Sequence, residues 1–422
     1  MLKSITTTAT FRQSQITILG TIINGILGAT FYILLARFLG PAEFGLFTVS
    51  VATLTLIADS VDFGTNTGLI RYIPQSLVTD KNKALKFLKL GLEFKILVWA
   101  VVFIIGFLIA PTVATFIFKK YELVNPLRLI MVGVGGALLF SFATSSLQAF
   151  QKYSVWSFVN IITNFLRLVF IILLFYVGQL NLSSGLITFI LLPFFGFSLA
   201  LVFLPSRKMF EERNEFSVAK QFFKYNLWVA FFSIIASISS RMDTFLTARL
   251  LTSAELGIYG AANQLVQVVP QLVGALGVVA APKFASFRNN QDMLIYLKKL
   301  QLFVLGLSLA GLMTIPVFIY IIPILFGAAY VTATTPFILL LTAMLVFLIS
   351  IPIHNSIIFY FARPDIFVWV SFGHLTIISL LGYFLISNFG LIGAGTTVLV
   401  GTIFNLLAPA SWFFYKLKKG KN

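Results

Sequence analysis

Residues 36–47 read ARFLGPAEFGLF, and residues 248–259 read ARLLTSAELGIY. The passages lie 212 positions apart in a chain of 422 residues, close to half its length. Ala36/Ala248, Arg37/Arg249, Leu39/Leu251, Ala42/Ala254, Glu43/Glu255 and Gly45/Gly257 are identical. The same offset pairs Arg12 with Lys224, Arg71 with Lys283, Lys86 with Lys298 and Pro111 with Pro323. The chain therefore reads as two copies of one unit, with lobes expected at 1–205 and 206–422.

Composition says what is duplicated. Hydrophobic residues make up 59% of the chain and charged residues 10%, and the mean hydropathy is +0.99. Soluble domains carry about 25% charged residues, so too few charges are present to cover a soluble surface of this size. Disordered chains are polar, whereas this one holds 47 Phe. A polytopic membrane protein is the class that remains. The absence of Cys excludes disulfides, thiolate metal sites and a Cys nucleophile, and two His, His354 and His374, are too few for a His-rich metal site.

About 20 apolar residues span ~30 Å of hydrocarbon. Twelve such stretches are expected, near 15–36, 46–70, 84–110, 126–149, 155–178, 185–204, 222–246, 255–280, 296–320, 334–360, 366–387 and 391–415. Hydrocarbon offers the backbone no hydrogen-bond partners, so long non-alternating apolar runs must be helices rather than barrel strands. The first run has no small-residue cleavage site before it and reads as a retained helix rather than a signal peptide.

The chain carries 30 Lys and Arg and a net charge of +17. With the N-terminus placed inside, Arg37, Lys119, Lys120, Arg128 and Arg249 fall outside, and Lys95, Arg167 and Arg241 fall within spans. The other 22, from Lys3 to Lys421, fall on the inner side. This asymmetry places both termini in the cytoplasm and the chain in the cell membrane. The charge therefore orients the protein and contacts lipid, and nucleic acid is not an expected partner. Six spans, an even number, separate the repeated passages, so the halves run in the same direction: a parallel repeat of two six-helix lobes around a central cavity. Arg37, Glu43 and Gly45, with Arg249, Glu255 and Gly257, are expected to be architectural, the charges capping a turn and the glycines allowing a tight helix entry.

The passage LLARFLGPAEFGLF at 34–47, followed by Asp62-Phe63-Gly64 and Arg71-Tyr72, resembles the polysaccharide-biosynthesis flippases. These are O-antigen-type exporters of the MATE-like multidrug/oligosaccharidyl-lipid/polysaccharide superfamily. The resemblance is clear over residues 10–75, and the topology and repeat extend it over the chain. It implies an all-α fold with a V-shaped cavity. It also implies transfer of an undecaprenyl-(pyro)phosphate-linked oligosaccharide from the inner to the outer leaflet. Lipid II flippases of the same superfamily carry fourteen helices, against the twelve counted here.

Ionisable groups within spans are functional candidates. Asn160, Asn164 and Arg167 share a face of the fifth span, and Arg167 offers a planar, always-charged fork for phosphate oxygens. Arg241 is a second phosphate candidate for release. Gln264, Gln267 and Gln271 form an amide stripe suited either to sugar hydroxyls or to interhelical hydrogen bonds. Asp59 and Asp62, with Asn66, share a face of the second span and are candidates to bind H⁺ or Na⁺; an Asp59–Arg167 ion pair that ties helices together is the alternative. Glu93 and Lys95 read as structural, and His354 and His374 as hydrogen-bonded packing residues.

The expected function is therefore a flippase without catalytic residues, metal or cofactor, other than H⁺ or Na⁺ as a coupling ion. Its partners would be the lipid-linked oligosaccharide, membrane lipids, and the polymerase and glycosyltransferases of the same synthesis, and it is expected to act as a monomer. A MATE-like drug exporter and a membrane polymerase or ligase are the competing readings. The last of these lacks a sizeable outer loop, since the longest, 111–125, holds one acid, Glu122.

Overall fold

A computed structural model describes residues 9–419, and every described element is helical. Lys3 and Lys421 lie outside the described residues. Contacts divide the chain into two units. One comprises Met1–Leu39 and Leu46–Ser237, the other Gly40–Gly45 and Ile238–Asn422. This packing division follows a different criterion from the lobes at 1–205 and 206–422, which follow the repeat.

The first unit contains α1 (Ala9–Val61) apart from Gly40–Gly45, α2 (Thr65–Thr79), α3 (Lys81–Thr112), α4 (Val124–Ala149), α5 (Tyr153–Tyr176), α6 (Leu182–Phe203), the short α7 (Ser206–Glu211) and α8 (Phe216–Ser239) up to Ser237. Helix α4 packs on α3 and α6. Leu69, Tyr72, Phe87, Phe142, Leu147 and Phe222 lie in its core, with the Tyr72 and Phe87 rings stacked at 5.0 Å. The second unit contains α9 (Met242–Leu250), α10 (Ser253–Val266), α11 (Val268–Ser286), α12 (Asn290–Met313), α13 (Ile315–Phe326), α14 (Thr334–Asn355) and α15 (Ile366–Lys419). Helix α14 is its centre, touching α10, α11, α12 and α15.

Among the described residues, eight segments are long and apolar enough to cross a membrane, so the expected twelve are not reproduced as twelve separate helices. The reason lies in single backbone positions. Helices α1 and α15, of 53 and 54 residues, each run through one non-helical glycine, Gly40 (φ 75°) and Gly390 (φ 56°). In the second half, the expected spans 222–246 and 255–280 are interrupted between α8 and α9 and at Gln267.

The duplication is also visible in the backbone. Gly178 (φ 71°) and Gly390 sit 212 apart, the first just after α5 and the second at the kink in α15, each with a positive φ that glycine adopts without strain. Gln151 (φ 57°) and Ala362 (φ 53°) recur 211 apart at the turns after α4 and α14.

Candidate functional site: a guanidinium between aromatic rings

Helix α5 carries Asn160, Asn164 and Arg167 along one face, as their spacing requires. Asn164 donates through Nδ2 to Asn24 Oδ1 on α1 and accepts at Oδ1 from Arg167 Nη1 at 3.0 Å. The Arg167 guanidinium lies 4.3 Å from the centroid of Phe189 on α6 and 5.5 Å from that of Phe31 on α1. Tyr32 and Phe47 complete the aromatic group; Phe47 packs edge-on to Phe189 at 5.6 Å and lies 6.2 Å from Tyr32. Ring faces hold a cation by about 0.5–2 kcal/mol each, but they do not neutralise it. Arg167 Nε is buried without a hydrogen-bond partner, and among the described residues no carboxylate pairs with the guanidinium. The Asp59–Arg167 ion pair is thus not formed, and Asp59 is exposed. The arrangement is a fixed cation with unused donors in apolar surroundings, suited to an anion with several acceptor oxygens.

Asn160 turns back on its own helix, donating to Trp156 O at 2.8 Å, and takes no part in this linkage. Asn24, Phe31 and Phe189 were not singled out from sequence. Asn24 was findable as a polar residue within the first apolar stretch; the two rings were not, among 47 Phe.

Asp62 is engaged elsewhere. Its Oδ1 lies 2.5 Å from Lys95 Nζ, which also donates to Ser141 Oγ at 3.0 Å. Lys95 is 1% exposed. The Asp62 carboxylate also accepts from Thr65 Oγ1 at 2.9 Å, tying down the break between α1 and α2, where Phe63 (φ 47°) and Gly64 (φ 69°) are successively left-handed. Asn66, on the same predicted face, has its Oδ1 buried and unpaired. Glu93 accepts from Asn214 Nδ2 at 2.8 Å.

In the second unit, Gln267 sits at the joint between α10 and α11, where it donates from Nε2 to Asn263 Oδ1 at 3.3 Å. The stripe expected for Gln264, Gln267 and Gln271 thus spans a joint, with Gln264 on α10 and Gln271 on α11. Arg241 precedes α9 and donates to Ser240 Oγ at 3.2 Å. His354 meets Asn405 O at 2.9 Å, and His374 Nδ1 meets Ser239 Oγ at 2.8 Å.

Glu255 closes a capping box with Thr252, accepting from its backbone N at 2.9 Å while Thr252 Oγ1 accepts from Glu255 N at 3.2 Å. Arg37 is exposed, Glu43 and Arg249 half-buried. The expected role of Gly45 and Gly257 is corrected. They do not turn the chain; they let two backbones cross. A Cβ on Gly45 would lie 1.9 Å from Ser253 O, and one on Gly257 would lie 1.9 Å from Pro41 O.

A family model described as polysaccharide biosynthesis protein matches residues 11–288. No curated protein matches. Among solved structures, the chain is similar to an inward-facing multidrug resistance MATE family transporter of the MOP superfamily. There the TM-score is 0.77 at 11% identity, covering 96% of this chain and 99% of the other. It is also similar to the lipid II flippase MurJ in an inward closed conformation, with TM-score 0.73, 14% identity and coverage of 95% and 87%. A third is a mutant of the Vibrio cholerae MATE transporter VcmN, with TM-score 0.63, 12% identity and 96% coverage of each chain. At these identities the likeness is one of fold, and it is the MATE-like membrane fold that the resemblance implied.

Proposed function

For this chain, which belongs to the polysaccharide biosynthesis protein family, we propose transfer across the membrane of a glycan carried on a polyprenyl (pyro)phosphate, by alternating access and without covalent chemistry. The observation that carries this reading is Arg167, a guanidinium held between Phe31 and Phe189 with buried Nε unpaired. A phosphate supplies what the site lacks: negative charge and several acceptors that match the planar fork. A cationic drug, the cargo of the competing exporter reading, would be repelled by it. Asn164 and Asn24 orient the fork, and Gln264, Gln267, Gln271 and Arg241 remain candidates for sugar and phosphate contacts along the path. The reading puts the protein in the cell membrane with both termini cytoplasmic, working with the glycosyltransferases and polymerase of the same synthesis.

The test is surface glycan in cells lacking the native protein and complemented with variants. Arg167→Ala should reduce export to background at unchanged membrane abundance. Arg167→Lys should recover only a small part, because an ammonium lacks the fork and the ring stacking. Normal export by Arg167→Ala would refute the phosphate assignment.

A further inference from the structure

The 212-residue offset aligns the Arg167 surroundings with a second set of side chains that differ in chemistry at every key position. Phe31 corresponds to Asp243, Tyr32 to Thr244, Leu35 to Thr247 and Phe47 to Tyr259. The contacts correspond too. Where Phe31 packs on Phe47 in the first unit, Tyr259 donates its hydroxyl hydrogen to Asp243 Oδ2 in the second. The partner of Arg167 under the same offset is Ser379, and that of Phe189 is Gly401, so the second half has neither the cation nor its ring.

Asp243 is 8% exposed and Tyr259 fully buried. Among the described residues, the groups acting on the carboxyl are hydroxyls and backbone N–H: Tyr259, Thr244 Oγ1 at 3.5 Å, and the backbone of residues 243 and 244. No ammonium or guanidinium is among them. The other ionisable groups on α9, α10, α14, α15 and the 40–45 segment are Arg241 and Arg249 beside or within α9, Glu255 on α10, His354 on α14, His374, Tyr383, Tyr415, Lys416, Lys418 and Lys419 on α15, and Glu43 on the 40–45 segment. Glu255 is occupied by its capping box and His374 by Ser239.

A carboxylate taken out of water without a counter-cation is costly, and the cost disappears when a cation joins it. Tyr259, Thr244 and Asp243 already satisfy one another as donors and acceptor, so few oxygens are left to coordinate a metal ion. A proton needs one. We propose that Asp243, bridged to Tyr259, is a proton-binding site of the second unit and the counterpart of the Arg167 anion site of the first. Binding forms an O–H bond on the carboxyl with a proton taken from water, and release returns it; Tyr259 sets the acceptor strength of the carboxyl through its hydrogen bond. This deepens the flippase reading by naming its driving cation and the residue that takes it, in place of Asp59 and Asp62. Asp62 is already matched by Lys95.

The experiment uses the full chain in proteoliposomes on a solid-supported membrane, without glycan substrate, and records charge displacement after a pH jump or a Na⁺ jump at constant pH. The wild type should respond to the pH jump. Asp243→Asn, close in shape, should lose the response, while Asp59→Asn should keep it. Tyr259→Phe should shift the midpoint by at least about threefold in proton concentration, an effect that loss of packing alone would not produce. An unchanged response in Asp243→Asn, or a wild type that answers only to Na⁺, overturns the proposal; an unshifted midpoint in Tyr259→Phe removes the tyrosine from it. Arg167→Ala should keep the proton response while losing glycan export, so failure of this inference and failure of the flippase reading are separable.

Discussion

One position of the duplicated unit holds Phe31 against Phe47 in the first half and Asp243 against Tyr259 in the second. The surrounding passage is half identical and Gly45 is matched by Gly257, yet the side chains turned into each bundle have opposite chemistry. In the first half the aromatic faces permit a cation, Arg167, without a carboxylate. In the second the hydroxyls permit a carboxyl without a cation. Duplication thus kept what the helices need in order to cross and diverged where a ligand would be held. A site can be read from the point at which two otherwise matching halves stop matching.

The shared part can be broken first, with the largest expected effect. An Ala in a helix interior is normally about 1 kcal/mol better than Gly, but at Gly45 or Gly257 its Cβ would fall 1.9 Å from a backbone oxygen. Gly45→Ala and Gly257→Ala should both lower folded yield and thermal midpoint in detergent. Gly306→Ala, with nothing within 4 Å, should be neutral or stabilising. Tolerance of Ala at either crossing would mean that the two repeated passages are not packed as described.

Next in size is the contrast between two intramembrane cations of the first half. Lys95 is neutralised by Asp62, whereas Arg167 is held by rings. Lys95→Met leaves Asp62 without its partner, at a cost of about 3–5 kcal/mol. The double variant Asp62→Asn with Lys95→Met should recover most of it. Thermal unfolding of purified protein measures both. If Arg167→Ala destabilises as much as Lys95→Met, Arg167 is structural and the contrast with Asp243 loses its meaning.

The smallest effect separates two neighbours on one helix face. Asn164 positions the guanidinium and Asn160 bonds only to its own helix. Asn164→Ala should lower glycan export several-fold, and Asn160→Ala should leave it near normal. Equal losses would show that the whole face, rather than the linkage from Asn24 to Arg167, meets the substrate.

The helical class, the duplication and the short list of intramembrane charges were legible without coordinates. Spacing correctly placed Asn160, Asn164 and Arg167 on one face. It could not say that Asn160 turns away, because side chains on one face differ in what stands opposite. Asp62 and Asp59 looked equivalent by the same criterion, yet Lys95, 33 residues beyond Asp62, reaches only the first of them. Gly45 and Gly257 were visible as a repeated pair, but the reason for them lies in a backbone from the other copy. The kinks at Gly40 and Gly390 depend on a positive φ that no apolar count reveals.

By itself, then, the sequence determined that this chain lives in a membrane as helices, since hydrocarbon leaves the backbone one way to satisfy its own polar groups. It also determined the duplication, and the placing of Lys and Arg set an expected direction. Which of the buried charges are spent on each other was decided only by tertiary structure. Pairing depends on how each helix is rotated about its axis against helices distant in the chain, and that rotation brought Lys95 to Asp62, rings to Arg167, and hydroxyls to Asp243.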